Sequence, residues 1–224
     1  MEIAYFDLDE TIVSVDSTTL WLAWLVKQNL ATETLLKEDE RLLALYYEGR
    51  VDITQYIELS LLPIKGMDTE QVNTLVTQFV LEEIKPKLYV EALAKLEWHK
   101  KRGDHIVIIS ASSEHIVKPI AEFLGASVSF GVENEILYDK ESNQQIYTGK
   151  IMGEPTFKEG KVKKILAYLA NKKHELPSNL RSYAYSDSIN DRFLLEFADH
   201  SYVINPNETL KQLATAKGWT VLYW

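Results

Sequence analysis

Four short apolar runs, alternating along the chain with helical patterns, constrain it more than any other feature. Ile3–Phe6 is too short for a helix and suits a strand buried on both faces. Ile106–Ile109, Tyr183–Tyr185 and Tyr202–Ile204 read the same way. The helical patterns are Glu114–Leu124, Lys161–Ala170, Asn190–Phe197 and Glu208–Ala216. Strand then helix, repeated, predicts an α/β fold with a doubly wound, mostly parallel sheet and helices on both faces. Ligands in such sheets sit at the carboxyl ends of the strands.

One stretch breaks the rhythm. From Ser17 to Leu81 the patterns are helical only, punctuated by Gly49, Pro63 and Gly66. A parallel crossover needs about a dozen residues, far fewer than lie here. The expectation is an all-helical cap over residues 15–85, standing over the strand ends of a core formed by residues 1–14 and 86–224. Its hinges are expected at Val13–Asp16 and Glu82–Lys87. A smaller irregularity, Glu135–Gly149, reads as a β-hairpin: Ile136–Tyr138, a polar turn, then Ile146–Thr148.

The chain has 224 residues and a formal net charge of −9. A chain of this size hides roughly 70% of its unfolded surface, so no metal or disulfide staple is required for folding. The carboxylate excess argues against nucleic acid as a partner, because phosphate-backbone binders cluster Lys and Arg. Cysteine is absent, which removes disulfides, thiolate metal sites and Cys nucleophiles. The N-terminal residues Met1–Asp7 carry no basic region, unlike a secretory signal. The apolar run Leu20–Val26 is far short of the ~20 residues that span a bilayer. The expectation is a cytoplasmic protein with no membrane partner; the sequence leaves its oligomeric state open.

Chemistry concentrates where the predicted strands end. The first is followed by Asp7-Leu8-Asp9-Glu10-Thr11, two carboxylates two residues apart. By itself this could be an Asp-rich turn that caps the next helix. The second runs into Ser110-Ala111-Ser112-Ser113, where a hydroxyl and free N–H groups before a helix could cradle a phosphate, or simply cap that helix. Gly160-Lys161 opens a helix, with Lys158 a competitor for any role given to Lys161. The strand at Tyr183–Tyr185 leads into Ser186-Asp187-Ser188-Ile189-Asn190-Asp191, a second acidic cluster.

In order along the chain these are Asp-x-Asp, Ser, Lys and Asp…Asp. That order resembles the four motifs of the haloacid-dehalogenase-like hydrolase superfamily, and the helical insertion resembles the cap of its phosphoserine-phosphatase-like subgroup. The resemblance covers essentially the whole chain. It implies a phosphatase that acts on a small phosphorylated metabolite, with Asp7 as nucleophile through an aspartyl-phosphate and Asp9 as general acid and base. It also implies Mg²⁺ held by the Asp7 carboxylate, the Asp9 backbone carbonyl and the Asp187 carboxylate, with Asp191 behind them. Ser110, Ala111, Lys161 and Asn190 would contact phosphate, and Thr11 would brace the loop. No His pair among His99, His105, His115, His174 and His200 has zinc-ligand spacing, and four converging carboxylates would repel without a divalent cation.

Asp16 stands where phosphoserine phosphatases carry an acidic residue for the substrate ammonium, which points to an amine-bearing ester; helix capping is its alternative role. Ser110 is followed by Ala111-Ser112 rather than two glycines, and only Arg50 offers itself for a substrate carboxylate. An amino-alcohol phosphate such as histidinol phosphate is therefore at least as compatible as phosphoserine. Trp21 and Trp24, three apart, suit core packing, and His115 a structural role. Phosphotransfer to a second alcohol and a catalytically silent phospho-ligand binder are the alternatives in function. A phosphate-receiver domain is disfavoured, since by family resemblance such modules are about half this length and have no inserted helical cap.

Overall fold

The chain was analysed as a computed structural model, which describes residues 1–177 and 180–224. Its strands are β1 (Ile3–Phe6), β2 (His105–Ser113), β3 (Val128–Val132), β4 (Asn134–Asp139), β5 (Gln144–Ile151), β6 (Ser182–Ser186), β7 (His200–Ile204) and β8 (Thr220–Leu222). Six of them form one parallel sheet in the order β3-β2-β1-β6-β7-β8. Helices flank this sheet, so the α/β expectation holds. All four residues of β1 are buried because strands lie on both sides of it and helices cover both faces. Period-two alternation divides its side chains. Ala4 and Phe6 lie on one face, where Phe6 packs against Tyr185 and His99, while Ile3 and Tyr5 join Val107, Ile109 and Ile165 on the opposite face.

Successive strands step from β1 through β2 to β3 on one side, then resume on the other side at β6. The strand order therefore reverses between β1 and β6, the place where an open α/β sheet leaves a crevice at its carboxyl edge.

The helices are α1 (Ser17–Lys27), α2 (Glu33–Tyr47), α3 (Ile53–Leu61), α4 (Thr69–Phe79), α5 (Val90–Lys101), α6 (Glu114–Leu124), α7 (Glu159–Asn171), α8 (Arg192–Phe197) and α9 (Glu208–Lys217). In the insertion, α1 to α4 each begin at an oxygen-bearing cap, Asp16, Thr32, Asp52 and Asp68, that accepts a first-turn N–H. Trp21 and Trp24 are fully buried, stacked at 5.4 Å, with the Phe79 ring edge-on to Trp21. They form the core of the insertion and do not line a cavity mouth. The outgoing and returning chains are tied together: Ser14 N–H donates to the Lys87 carbonyl at 2.8 Å and Tyr89 N–H to the Ile12 carbonyl at 3.0 Å.

The β4–β5 hairpin forms where the sequence suggested one, and it leans on the insertion. Gly66 N–H donates to the Tyr147 carbonyl at 2.8 Å and Tyr147 N–H to the Met67 carbonyl at 3.0 Å. Three elements carried too little pattern to be read beforehand. The strands β3 and β8 lie at the sheet edges, half-buried, so neither shows a continuous apolar run. The helix α5 buries only Ala92, Leu96 and His99.

His115, in the first turn of α6, is buried between the Trp21 and Tyr147 rings and hydrogen-bonded through Nδ1 to the Ser113 hydroxyl at 2.7 Å. Burial pushes its pKa down to about 3. The folded chain keeps this imidazole neutral, whereas the unfolded chain protonates it near pH 6.5. Its contribution to stability is thus full above pH 6.5 and is lost as pH falls toward 3, by about 1.4 kcal/mol per pH unit. Urea denaturation at pH 7.0 and 5.0 should show a smaller pH-dependent loss for His115→Gln than for the unaltered chain. A second test concerns Gly131, where a Cβ would come 2.6 Å from the Glu114 Cα. Gly131→Ala should destabilise by about 1–3 kcal/mol, read from the same denaturation curves.

Candidate active site

A cleft of about 260 Å³ opens above the β1/β6 crevice. Backbone register explains what meets there. Phe6 pairs with Tyr185 and with Ile108, so the residues just beyond them, Asp7, Ser186 and Asp187 on one side and Ser110 on the other, emerge at the same sheet edge. Asp7 N–H donates to the Tyr185 carbonyl at 3.0 Å and pins the start of the loop.

Lys161 enters from the first turn of α7 and is buried. Its ammonium donates to Asp7 Oδ1 and to Asp191 Oδ2, each at 2.7 Å. The Ser186 hydroxyl donates to that same Asp191 oxygen at 2.8 Å. Burial works against the ammonium, but the charges of Asp191 and Asp7 outweigh it and hold Lys161 above the ordinary lysine pKa. Lys158, by contrast, caps α7 with a positive φ of 52° and lays its ammonium over the Phe157 ring at 4.9 Å, outside the cleft. Of the two lysines, only Lys161 reaches the carboxylates.

Burial pushes the Asp7 pKa up to about 7, against the pull of Lys161. Asp187 is raised well above the carboxylate range, first by burial and then by the charge of Asp7. Thr11 braces Asp187 twice: its hydroxyl donates to Asp187 Oδ1 at 2.9 Å and accepts the Asp187 N–H at 3.0 Å. Asp7 Oδ1 and Asp187 Oδ1 are thus occupied, whereas neither Oδ2 receives a hydrogen bond among the described residues.

Asp9 is saturated with donors. Ser17 N–H reaches Oδ1 at 2.7 Å, and the hydroxyls of Ser110 and Ser112 reach Oδ2 at 2.9 and 2.7 Å. The second strand extends past Ser110 to Ser113, with an irregularity in its pairing, which brings Ser110 and Ser112 to one carboxylate. Thr18 donates to the Ser112 hydroxyl at 3.1 Å, linking α1 to this network. Thr156 fixes the strand end from below by donating to the Ser110 carbonyl at 2.6 Å.

Ala111 and Asn190 line the cleft, Asn190 from a short 3₁₀ turn over Ile189–Asp191. Asp16 also lines it, while capping α1 and accepting the Tyr56 hydroxyl at 3.3 Å. Burial first, then the charges of Asp9 and Asp39, push Asp16 up to about 8. Arg50 is not brought in: its guanidinium is exposed beyond α2 and pairs with Glu48. Sequence reasoning missed Tyr46, Tyr47 and Tyr56, which form one wall of the cleft. Two adjacent tyrosines at the end of α2 were a signal, since neighbours on a helix cannot both face one core.

Among the described residues, no group of three or more His, Asp or Glu side chains is arranged to hold a metal alone. A cation at this site would rest on two carboxylates and complete its shell with backbone carbonyl, water and substrate oxygens. That donor set suits Mg²⁺, and the open Oδ2 atoms of Asp7 and Asp187 fit it. No described helix is long and apolar enough to cross a membrane.

The model of the haloacid dehalogenase-like hydrolase family matches residues 4–196. The chain belongs to the haloacid dehalogenase-like hydrolases. It is 32% identical to a histidinol-phosphatase of Neisseria meningitidis serogroup C over 222 residues, covering 98% of this chain and 97% of that one. A probable phosphatase of Mycobacterium tuberculosis is 30% identical over 98% of this chain and 74% of its own length. A crystal structure of a protein of unknown function from Bordetella pertussis superposes with a TM-score of 0.86 at 30% identity, covering 98% and 97% of the two chains. A substrate-bound phosphoserine phosphatase shares the fold, with a TM-score of 0.64 at 20% identity over 94% and 89%. Within the family this chain is a phosphatase, a hydrolase of phosphomonoesters.

The lysine geometry yields a prediction. Lys161→Ala should lower kcat/KM on p-nitrophenyl phosphate by about 100-fold or more, and Lys158→Ala by far less. Equal losses would show that the contact with Asp7 does not matter for turnover.

Proposed function

We propose that the chain hydrolyses a small, amine-bearing phosphomonoester by way of a phosphorylated Asp7, with Mg²⁺ as cofactor. What supports the reading above all is the pairing of Asp7 with a buried lysine beside Asp187, at the one crevice where the sheet reverses.

Asp7 attacks phosphorus through a carboxylate oxygen and displaces the substrate alkoxide, leaving an aspartyl-phosphate. Asp9 gives the departing oxygen its proton, then takes a proton from the water that cleaves the acyl phosphate, so phosphate leaves and Asp7 is regenerated. Its three donors orient that carboxyl over the reacting group; Ser110 and Ser112 can turn their hydroxyls to phosphate oxygens as Asp9 takes up a proton. Lys161 holds Asp7 in place and offsets the negative charge that attack on a phosphate must overcome. When bound, Mg²⁺ supplies the positive charge that keeps Asp7 and Asp187 ionised and draws the phosphoryl oxygens in. The inserted helices 15–85 serve as a cap that shields the cleft from water and chooses the leaving group. Asp16 receives the substrate ammonium, and the name of the Neisseria relative makes histidinol phosphate the first ester to try.

Hydrolysis of p-nitrophenyl phosphate by the pure protein should require Mg²⁺ and vanish with EDTA. Asp7→Asn should reduce turnover to background, with an unchanged circular-dichroism spectrum; an active variant would remove the nucleophile assignment. Asp9→Asn should cost about 10²–10⁴-fold in kcat, and turnover at the normal rate would contradict its acid–base role.

A further inference from the structure

Tyr46 brings a hydroxyl of the inserted helices to the catalytic carboxylates. It is the penultimate residue of α2 and lines the cleft together with Asp7, Asp9 and Asp187. Burial first, and then the charges of Asp191, Asp7, Asp187 and Asp9, hold its hydroxyl protonated well above the ordinary tyrosine range. A phenol from α2 therefore faces the carboxylate cluster that also holds Lys161.

Each of those carboxylates already has a donor of its own. Lys161 donates to Asp7 and Asp191, Thr11 to Asp187, and Ser17, Ser110 and Ser112 to Asp9. The Tyr46 hydroxyl makes no hydrogen bond among the described residues. A polar group left unpaired inside a folded protein calls for an explanation. The Ser110 and Ser112 hydroxyls must turn away from Asp9 before they meet a phosphate, whereas the Tyr46 O–H is open to one from the start. With one hydrogen to donate and negative charge around it, the phenol suits a ligand oxygen placed among these carboxylates.

Packing fixes where that bond can form. The Tyr46 ring centre lies 5.6 Å from that of Phe157, in the loop before α7, 6.4 Å from that of Tyr56 on α3 and 5.9 Å from that of Tyr47. Tyr47, the last residue of α2, ties the helix end to the core, because its hydroxyl is hydrogen-bonded to the Glu10 carboxylate. Glu10 stands between Asp9 and Thr11 with a left-handed φ of 55°, which glycine adopts freely and other residues at a cost. A side chain kept in a strained conformation beside catalytic groups points to a use for that side chain. Here the use is to seat the end of α2 on the turn that carries Asp9.

We infer that Tyr46 is a further catalytic residue of this phosphatase: its hydroxyl donates a hydrogen bond to a non-bridging oxygen of the phosphoryl group, and Glu10 is the positioning residue that holds it there through Tyr47. No covalent bond to Tyr46 forms or breaks. The phosphoryl group gains from the insertion a donor that complements Lys161 and the serines of the core, so chemistry at phosphorus depends on α2 being seated. The inference rests on the phosphatase reading above and adds to it a residue outside the loops that follow the strands.

Tyr46→Phe keeps the ring and its packing and deletes the donor. With Mg²⁺ present it should lower kcat/KM by about 10–100-fold. The factor should be the same on p-nitrophenyl phosphate and on glycerol phosphate, because the contact is to the group they share. The circular-dichroism spectrum and unfolding midpoint should not change, and the inhibition constant of orthovanadate, a mimic of the five-coordinate phosphoryl group, should rise by a similar factor. A variant as fast as the unaltered chain would overturn the inference. So would losses that differ by about tenfold between the two esters, which would place the hydroxyl on the leaving group. Glu10→Gly, which relieves the strained φ, should cost about fivefold on its own and nothing further in the Tyr46→Phe background; losses that multiply would show that Glu10 does not act through Tyr46. If neither ester is cleaved, the phosphatase reading fails separately. Calorimetric binding of orthovanadate to the unaltered protein and to Tyr46→Phe then decides, with equal affinities counting against the contact.

Discussion

Negative charge crowded around one buried lysine is the constraint on which this molecule turns. Asp7, Asp9, Asp187 and Asp191 arrive from two adjacent strand ends, and among the described residues Lys161 is the one cation paired with any of them, through Asp7 and Asp191. Its two contacts of 2.7 Å tie the loop after β1 to the turn after β6 and fasten α7 across both. Removing the ammonium would leave buried carboxylates without a counter-charge, the costly half of breaking a buried ion pair. Burial first, and then neighbouring carboxylate charge, raises the pKa values of Asp7 and Asp187, and a cation bound between them would favour their ionised forms. Fold and chemistry share one electrostatic debt.

Side-chain hydroxyls do the finer positioning. Thr11 grips Asp187 at two atoms, Ser186 supports Asp191, and Ser110 and Ser112 converge on Asp9. Each hydroxyl can either donate or accept by a rotation, so the network can follow a carboxyl that changes protonation without moving the backbone. Fixed N–H donors alone would lack that freedom.

How much of this was legible beforehand follows from physics. The central strands announce themselves because burial on both faces leaves a continuous apolar run, as in Ile3–Phe6; the edge strand at Val128–Val132, half-buried and holding Ser129 and Gly131, leaves none. The acidic and lysine positions were readable because they follow strands or open a helix, where local chain geometry limits what a side chain can do. The tyrosine wall was not, since Tyr46, Tyr47 and Tyr56 meet at the cleft only when α2 and α3 fold together, and no local period encodes that approach. Arg50 illustrates the converse: a cation in the right stretch of sequence turns to the nearest glutamate instead.

The small hairpin has a mechanical consequence. Because its strand β5 is hydrogen-bonded to the Gly66–Met67 segment while its chain continues from β3 into α7, the inserted helices are moored at two separated places: there and where the segments Ile12–Ser14 and Lys87–Tyr89 bridge. Two separated attachments restrain the inserted helices more than either would alone, and the Tyr46–Phe157 ring contact adds a third link, between α2 and the loop before α7.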